Sequence, residues 1–224
     1  MTFLTTETVE LPVVVPAGDV RLSGDLALPG GARGLVLFAH GSGSSRLSPR
    51  NRMVAGELRR SRVGTLLFDL LTEVESVDRT KVFDIQLLAD RLAAATAWVT
   101  TRPKLRGLRV GYFGASTGAA AALVAAARHD SGVAAVVSRG GRPDLAAEAL
   151  PRVAAPTLLI VGGHDDVVLD LNRRAFRRLA GHKRLEVVPG ATHLFEEPGT
   201  LERVAQLAAD WFTLYLELEG HRSG

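Results

Sequence analysis

"LRVGYFGASTGAAAALVAAAR" occupies residues 108–128. Its first third is a short apolar run with the branched and aromatic residues of a buried strand. Its last third is rich in alanine and reads as a helix. Between them Gly114-Ala115-Ser116-Thr117-Gly118 sets one serine among small neighbours. This G-x-S-x-G pattern predicts a tight turn from strand to helix. Small residues at the flanks let the two elements approach closely, and the serine is held in a strained backbone conformation with its hydroxyl lifted clear of the sheet.

Similar apolar runs lie on either side of that stretch. Residues 34–41, 63–70, 132–138, 156–163 and 184–190 are short and close in glycine or polar residues. Continuous apolar strands suit a parallel sheet buried on both faces. Helical spacing separates them, over Val82–Val99, over Ala119–Arg128 and along Leu201–Tyr215. Alternating strands and helices predict an α/β fold with a doubly wound sheet. Upstream, "VELPVVVPAG" and "VRLSGDLALPGG" read as an antiparallel pair. No linker interrupts the pattern, so residues 1–224 are expected to form one domain.

Active sites of open parallel sheets lie beyond the carboxyl ends of the strands, and Ser116 falls at such an end. A serine hydroxyl becomes a nucleophile when a base takes its proton and an acid orients the base. On this fold the chain order is serine, acid, histidine. Downstream, "LLIVGGHDDVV" offers Asp165 and Asp166, and "VVPGATHLFEEPG" puts His193 just after the last strand. The two aspartates compete at this point. Asp166 also suits a cap for the helix that follows. The other histidines are placed less well, and His40, before Gly41, is expected to shape its loop.

A tetrahedral intermediate needs donors aimed at its oxyanion. The backbone N–H of Thr117, next to the nucleophile at a helix start, is one candidate. The Ser42 N–H in the glycine-rich loop "HGSGSS" is the second. Three arginines, Arg46, Arg139 and Arg142, lie at expected strand ends, where a guanidinium fork suits a substrate carboxylate.

"FAHGSGSSRLSPRN", "GYFGASTGAAAAL", "VSRGGRPDLA", "LLIVGGHDDVV" and "PGATHLFEEPG" resemble the dienelactone hydrolase-like branch of the α/β-hydrolases. They are most similar to a bacterial group that occurs alone or joined to a phosphoribosyltransferase domain. The likeness runs from about Gly34 to Tyr215. It implies an α/β-hydrolase fold with a mostly parallel eight-stranded sheet, helices on both faces, and ester or lactone hydrolysis without a cofactor. The family's G-x-x-D-x-x-V pattern falls on Gly162, Asp165 and Val168 and selects Asp165 as the acid. Dienelactone hydrolase itself has a cysteine nucleophile; this chain has serine there and no cysteine anywhere.

Those residues predict a serine hydrolase for small or short-chain carboxylic esters or lactones, acting through an acyl-enzyme. An amidase, thioesterase or acyltransferase with the same three residues, or a catalytically silent binding module, are the alternatives. The 139–156 segment has room for one short helix, so no large cap domain is expected and the cleft should be open. The polar stretch at 71–84 could overhang it.

Composition narrows the partners. The absence of cysteine excludes disulfides and thiolate metal sites, and no metal is expected. A formal net charge of +3 without a concentrated basic patch argues against nucleic acid. Arg173, Arg174, Arg177 and Arg178 read as the solvated face of an amphipathic helix. The longest apolar run, Ala119–Ala127, is far short of a membrane span. The start lacks a basic n-region, so a cytoplasmic location with no membrane partner is expected.

Overall fold

In the computed structural model, residues 7–217 are described. Eight strands form one sheet in the order β1-β2-β4-β3-β5-β6-β7-β8. Strands β1 (Val9–Ala17) and β2 (Val20–Leu28) are the antiparallel pair, and β2 also runs antiparallel to β4 (Gly64–Phe68). The others, β3 (Gly34–Ala39), β5 (Arg109–Ala115), β6 (Val133–Arg139), β7 (Thr157–Gly162) and β8 (Lys183–Val188), are parallel to their neighbours. This is the expected mostly parallel sheet.

The strand pleat sends alternate residues to two cores. Leu35, Leu37, Tyr112, Val136 and Leu159 pack on one face, beneath α4 (Ile85–Thr100) and α5 (Thr117–Ala126). Val36, Phe38, Phe113, Val137 and Ile160 pack on the other, beneath α1 (Pro49–Arg60) and α7 (Thr200–Leu216). Central strands are apolar at consecutive positions because both faces are covered. Helix α6 (Asp166–Arg178) closes the β7 end, burying Val168, Leu169 and Ala175 while its arginines stay in solvent.

Two local readings differ from the sequence expectation. The helix expected to begin at Val82 starts instead at Ile85, because the Asp84 side chain caps it by accepting from Leu87 N–H at 3.0 Å. Upstream, residues 71–84 hold two single turns, α2 (Glu73–Ser76) and α3 (Arg79–Val82), each with its own cap. The 139–156 segment contains two 3₁₀ turns, Pro143–Ala146 and Leu150–Arg152, rather than one helix. Pro143 starts the first turn and Pro151 is second in the other; neither supplies an N–H to extend the ladder backwards. The segment stays short, as expected, and builds no cap.

Candidate active site

The turn between β5 and α5 carries the strain expected of it. Ser116 has φ 50° and ψ −120°, a region that L-residues rarely adopt. Its flanking glycines are sterically required. A Cβ at Gly118 would lie 2.1 Å from the Ala39 carbonyl oxygen, and one at Gly114 would lie 2.4 Å from Ala119 Cα. Both obstacles are backbone, so neither can swing aside. Alanines 119–122, fully buried, let α5 sit close against the sheet.

Geometry separates the two aspartates. Asp165 occupies the N-cap position of α6 but its side chain makes no capping bond. Its Oδ2 instead lies 2.7 Å from His193 Nδ1. Asp166 is the first residue of the helix and is exposed, so the capping role expected for it is not where the sequence suggested. The acid loop and the base loop are stitched together by backbone bonds from Gly163 N–H to Val188 O at 2.8 Å and from His164 N–H to Ala191 O at 2.9 Å. That approach requires glycine at 162, since a Cβ would meet Ala191 O at 2.4 Å. Within the base loop, Glu197 accepts from the Thr192 hydroxyl and N–H at 2.6 and 3.1 Å.

One short segment joins serine and imidazole. Ser116 N–H donates to Arg139 O at 3.2 Å, and Ser116 O accepts from Arg142 N–H at 3.1 Å. Gly140, between those two tethers, faces the His193 ring: a Cβ there would be 3.5 Å from Nδ1 and Cε1. Residues 139–142 are thus hydrogen-bonded to the elbow and lie against the His193 ring. With Nδ1 turned to Asp165, Nε2 is the ring nitrogen left for a proton transfer.

The glycine loop closes over the elbow. A Cβ at Gly41 would stand 3.1 Å from Ser116 Cβ, so backbone approaches the serine directly. Ser42 N–H does not point into open space; it donates to Thr117 Oγ1 at 2.9 Å. His40 sets the loop's shape. Leu70 N–H donates to its Nε2 at 3.0 Å, so Nδ1 carries the proton and donates to Gly41 O at 3.0 Å. Burial holds the His40 pKa below its ordinary value, against weaker opposing effects of the Gly41 carbonyl and the Asp69 charge. The unfolded chain therefore takes up a proton that the native loop refuses. Stability is expected to fall as pH drops through about 6.5 toward the folded value. A melting-temperature series from pH 7.5 to 5.5 checks this; the slope should flatten in His40→Gln.

From this loop a cleft of about 820 Å³ runs to the 71–76 stretch, lined by Ser42, Arg46, Leu47, Leu71 and Val74 among others. Part of the polar stretch at 71–84 is a wall of that cleft, whose lining includes neither Ser116 nor His193. Glu75 anchors that wall: it lies 3.2 Å from Arg91 and 3.3 Å from Lys81, and accepts from Thr72 N–H at 3.0 Å. Burial pushes its pKa up, but these hydrogen bonds and the Arg91 charge outweigh burial and hold it low.

The three arginines part company. Arg46 is engaged by Asp69 at 2.6 Å, and Asp25 lies 3.7 Å away. Arg142 is gripped through Nε and Nη2 by Asp144 at 2.9 and 2.7 Å. Arg139 is only 7% exposed, yet no carboxylate among the described residues lies within ion-pair range of it. Its Nε is buried without a partner, and its Cζ stands 5.9 Å from the Phe195 ring centre. Burial, with the Arg50 charge nearby, brings its pKa down to about 10, so it remains a cation at neutral pH. Arg50, in the first turn of α1, was not among the expected site residues, because only the folded chain brings α1 up to the end of β6.

A sequence model of the dienelactone hydrolase family matches residues 71–218. The chain belongs to the dienelactone hydrolase family. A crystal structure of dienelactone hydrolase from Anabaena variabilis superposes with a TM-score of 0.91 and 58% identity, covering 94% of this chain and 99% of that one. Est1E from Butyrivibrio proteoclasticus shares the fold at a TM-score of 0.77 and 15% identity, over 91% of this chain and 97% of its own. A Mycobacterium tuberculosis protein named "Putative phosphoribosyl transferase Rv0571c" is 62% identical over 204 residues, 91% of this chain and 46% of that protein. The chain thus spans about half the length of the curated relatives it matches there. The family's own description is that of a hydrolase. Among the described residues no helix is long and apolar enough to cross a membrane, and no cluster of three or more His, Asp or Glu side chains could hold a metal ion.

Proposed function

We propose that this chain is a serine hydrolase that cleaves small carboxylic esters or lactones through an acyl-enzyme. The observation that carries the reading is the His193–Asp165 pair, beside the 139–142 segment that tethers the strained Ser116 elbow. Ser116 Oγ attacks the ester carbonyl carbon while His193 Nε2 takes its proton. The carbonyl oxygen becomes an oxyanion. Expulsion of the alcohol, with the proton returned from His193, leaves the acyl group on Ser116. A water, losing its proton to the same nitrogen, attacks the acyl carbon, and the acid leaves as the serine is restored.

Two N–H groups are assigned to the oxyanion. Thr117 N–H lies at the start of α5, where helix donors are free. Ser42 N–H must exchange the Thr117 hydroxyl for the oxyanion, a substitution of one acceptor for a more strongly charged one. The Thr117 side chain then acts as a placeholder that keeps the loop amide aimed at the site. The ester carbonyl is placed at the Ser116 elbow beside the glycine loop, and no cofactor takes part.

Covalent labelling tests the reading. A fluorophosphonate probe should add to the native chain at Ser116, and the adduct should abolish hydrolysis of p-nitrophenyl acetate. No adduct, or one that persists in Ser116→Ala, would overturn it.

A further inference from the structure

The two sides of the sheet end differently. Among the described residues β1 and β8 are the edge strands. An edge presents unpaired N–H and C=O groups, which proteins guard with proline, with outward charges or with a covering element. β1 carries Pro12 and Pro16, which offer no N–H to a further strand. β8 contains no proline. Its lysine, a common guard, is turned away from the edge: Lys183 Nζ donates to Leu179 O at 2.5 Å and lies 5.2 Å from the Phe176 ring centre. Val187 remains 40% exposed.

The ladder to β7 shows which main-chain groups are spare. His182 O accepts from Thr157 N–H, and Val188 O accepts from Gly163 N–H, both at 2.8 Å. Even-numbered residues of this parallel strand therefore bond to β7, and Lys183, Leu185 and Val187 turn both N–H and C=O outward. Arg184 and Glu186 stand on one face of the strand, where they form an ion pair with each other. The edge thus offers one charge of each sign, two residues apart.

We infer that β8 pairs with β8 of a second copy of this chain, antiparallel about a two-fold axis at Leu185, so that one sheet continues through both copies. Parity and charge select this register. Outward residues must meet outward residues, so the axis passes through a residue and not between two. An axis at Arg184 sets two arginines opposite each other, and one at Glu186 sets two glutamates opposite each other. An axis at Leu185 puts Arg184 opposite Glu186 of the second copy, and Glu186 opposite its Arg184. These are non-hydrogen-bonded positions, where facing side chains come closest. Leu185 then exchanges bonds with its own copy, and Lys183 with Val187 on either side, about six main-chain bonds in all. The ion pair within each chain becomes half of a ring of alternating charge. The surface is self-complementary, as a two-fold interface requires.

Sedimentation velocity at micromolar concentration should give the native chain twice its 23.8 kDa mass. Arg184→Glu sets like charges opposite each other at both symmetric positions and should raise the dimer dissociation constant by about 10-fold. Glu186→Arg should do the same, and the two exchanges together should restore native association. Val187→Pro removes an outward N–H without touching the β7 ladder and should also weaken the dimer. Thermal melts check that each variant is folded. Cross-linking reads the register, since the chain has no cysteine of its own. Arg184→Cys mixed with Glu186→Cys should form a disulfide-linked dimer on mild oxidation. Either variant alone should link far less, because each residue lies diagonal to its own copy. A native chain that stays monomeric would overturn the inference. So would a dimer indifferent to both charge reversals and to Val187→Pro, or cross-links that form as well in either cysteine variant alone as in the mixture.

Discussion

Replacing Ser116 with glycine is expected to abolish ester hydrolysis and to raise the melting temperature. The first effect is chemical. Removing a nucleophile that works in concert with its base lowers kcat by on the order of 10⁵- to 10⁶-fold in comparable serine sites. The second is conformational. At φ 50° and ψ −120° serine pays for a backbone that glycine adopts freely. Strain of this kind amounts to about 1–3 kcal/mol. Part of the relief is lost to the greater freedom of glycine in the unfolded chain, about 0.5–1 kcal/mol. A net gain of about 1 kcal/mol raises the melting temperature of a chain this long by about 2–4 °C. Ser116→Ala separates the two effects: it should lose the same activity but melt close to the native chain, because alanine is as strained there as serine. Kinetics on p-nitrophenyl acetate and a thermal melt of both variants make the measurement. Activity within a hundredfold of native in either variant contradicts the assignment of Ser116 as the nucleophile. A lower melting temperature for Ser116→Gly contradicts the strain argument.

The second large effect is expected at Asp165. Its Oδ2 accepts from His193 Nδ1 at 2.7 Å, which fixes the proton on that nitrogen and leaves Nε2 unprotonated to receive the serine proton. Asp165→Asn keeps the shape but presents an amide that can donate to Nδ1, stabilising the wrong tautomer. A fall in kcat of about 10⁴-fold follows from that mechanism. Asp166, one residue on and exposed in the first turn of α6, has no route to the imidazole, so Asp166→Asn should retain native kcat. Steady-state kinetics on the two variants distinguish the neighbours directly. Equal losses, or a larger loss at Asp166, would remove Asp165 from its role.

How much of this was legible without coordinates varies residue by residue. The parallel sheet was readable because strands covered on both faces must be apolar at consecutive positions, as Leu35–Ala39 and Leu158–Val161 are. The elbow was readable because Gly114 and Gly118 are required by contacts made within one strand, one helix and the neighbouring β3. The helix starting at Ile85 was misplaced by one turn because Val82 fits the helical period, whereas the Asp84 cap, a local hydrogen bond, ends that period. Composition at 143–152 favours one helix, but Pro143 and Pro151 limit the segment to two short turns.

Sequence by itself determined the strands, their order along the chain, and which residues stand at their carboxyl ends, since these follow from periodicity, from backbone preferences and from rules of connection that act over short range. Tertiary structure alone decided which carboxylate meets the imidazole, that Ser42 N–H is held by Thr117, and that Arg139 is the arginine without an acid. Those outcomes depend on side chains brought together from 28 to 75 positions apart, or on which acid happens to fold against which cation. A pairing at that range is set by the packing of whole elements, and the local pattern of residues carries no record of it.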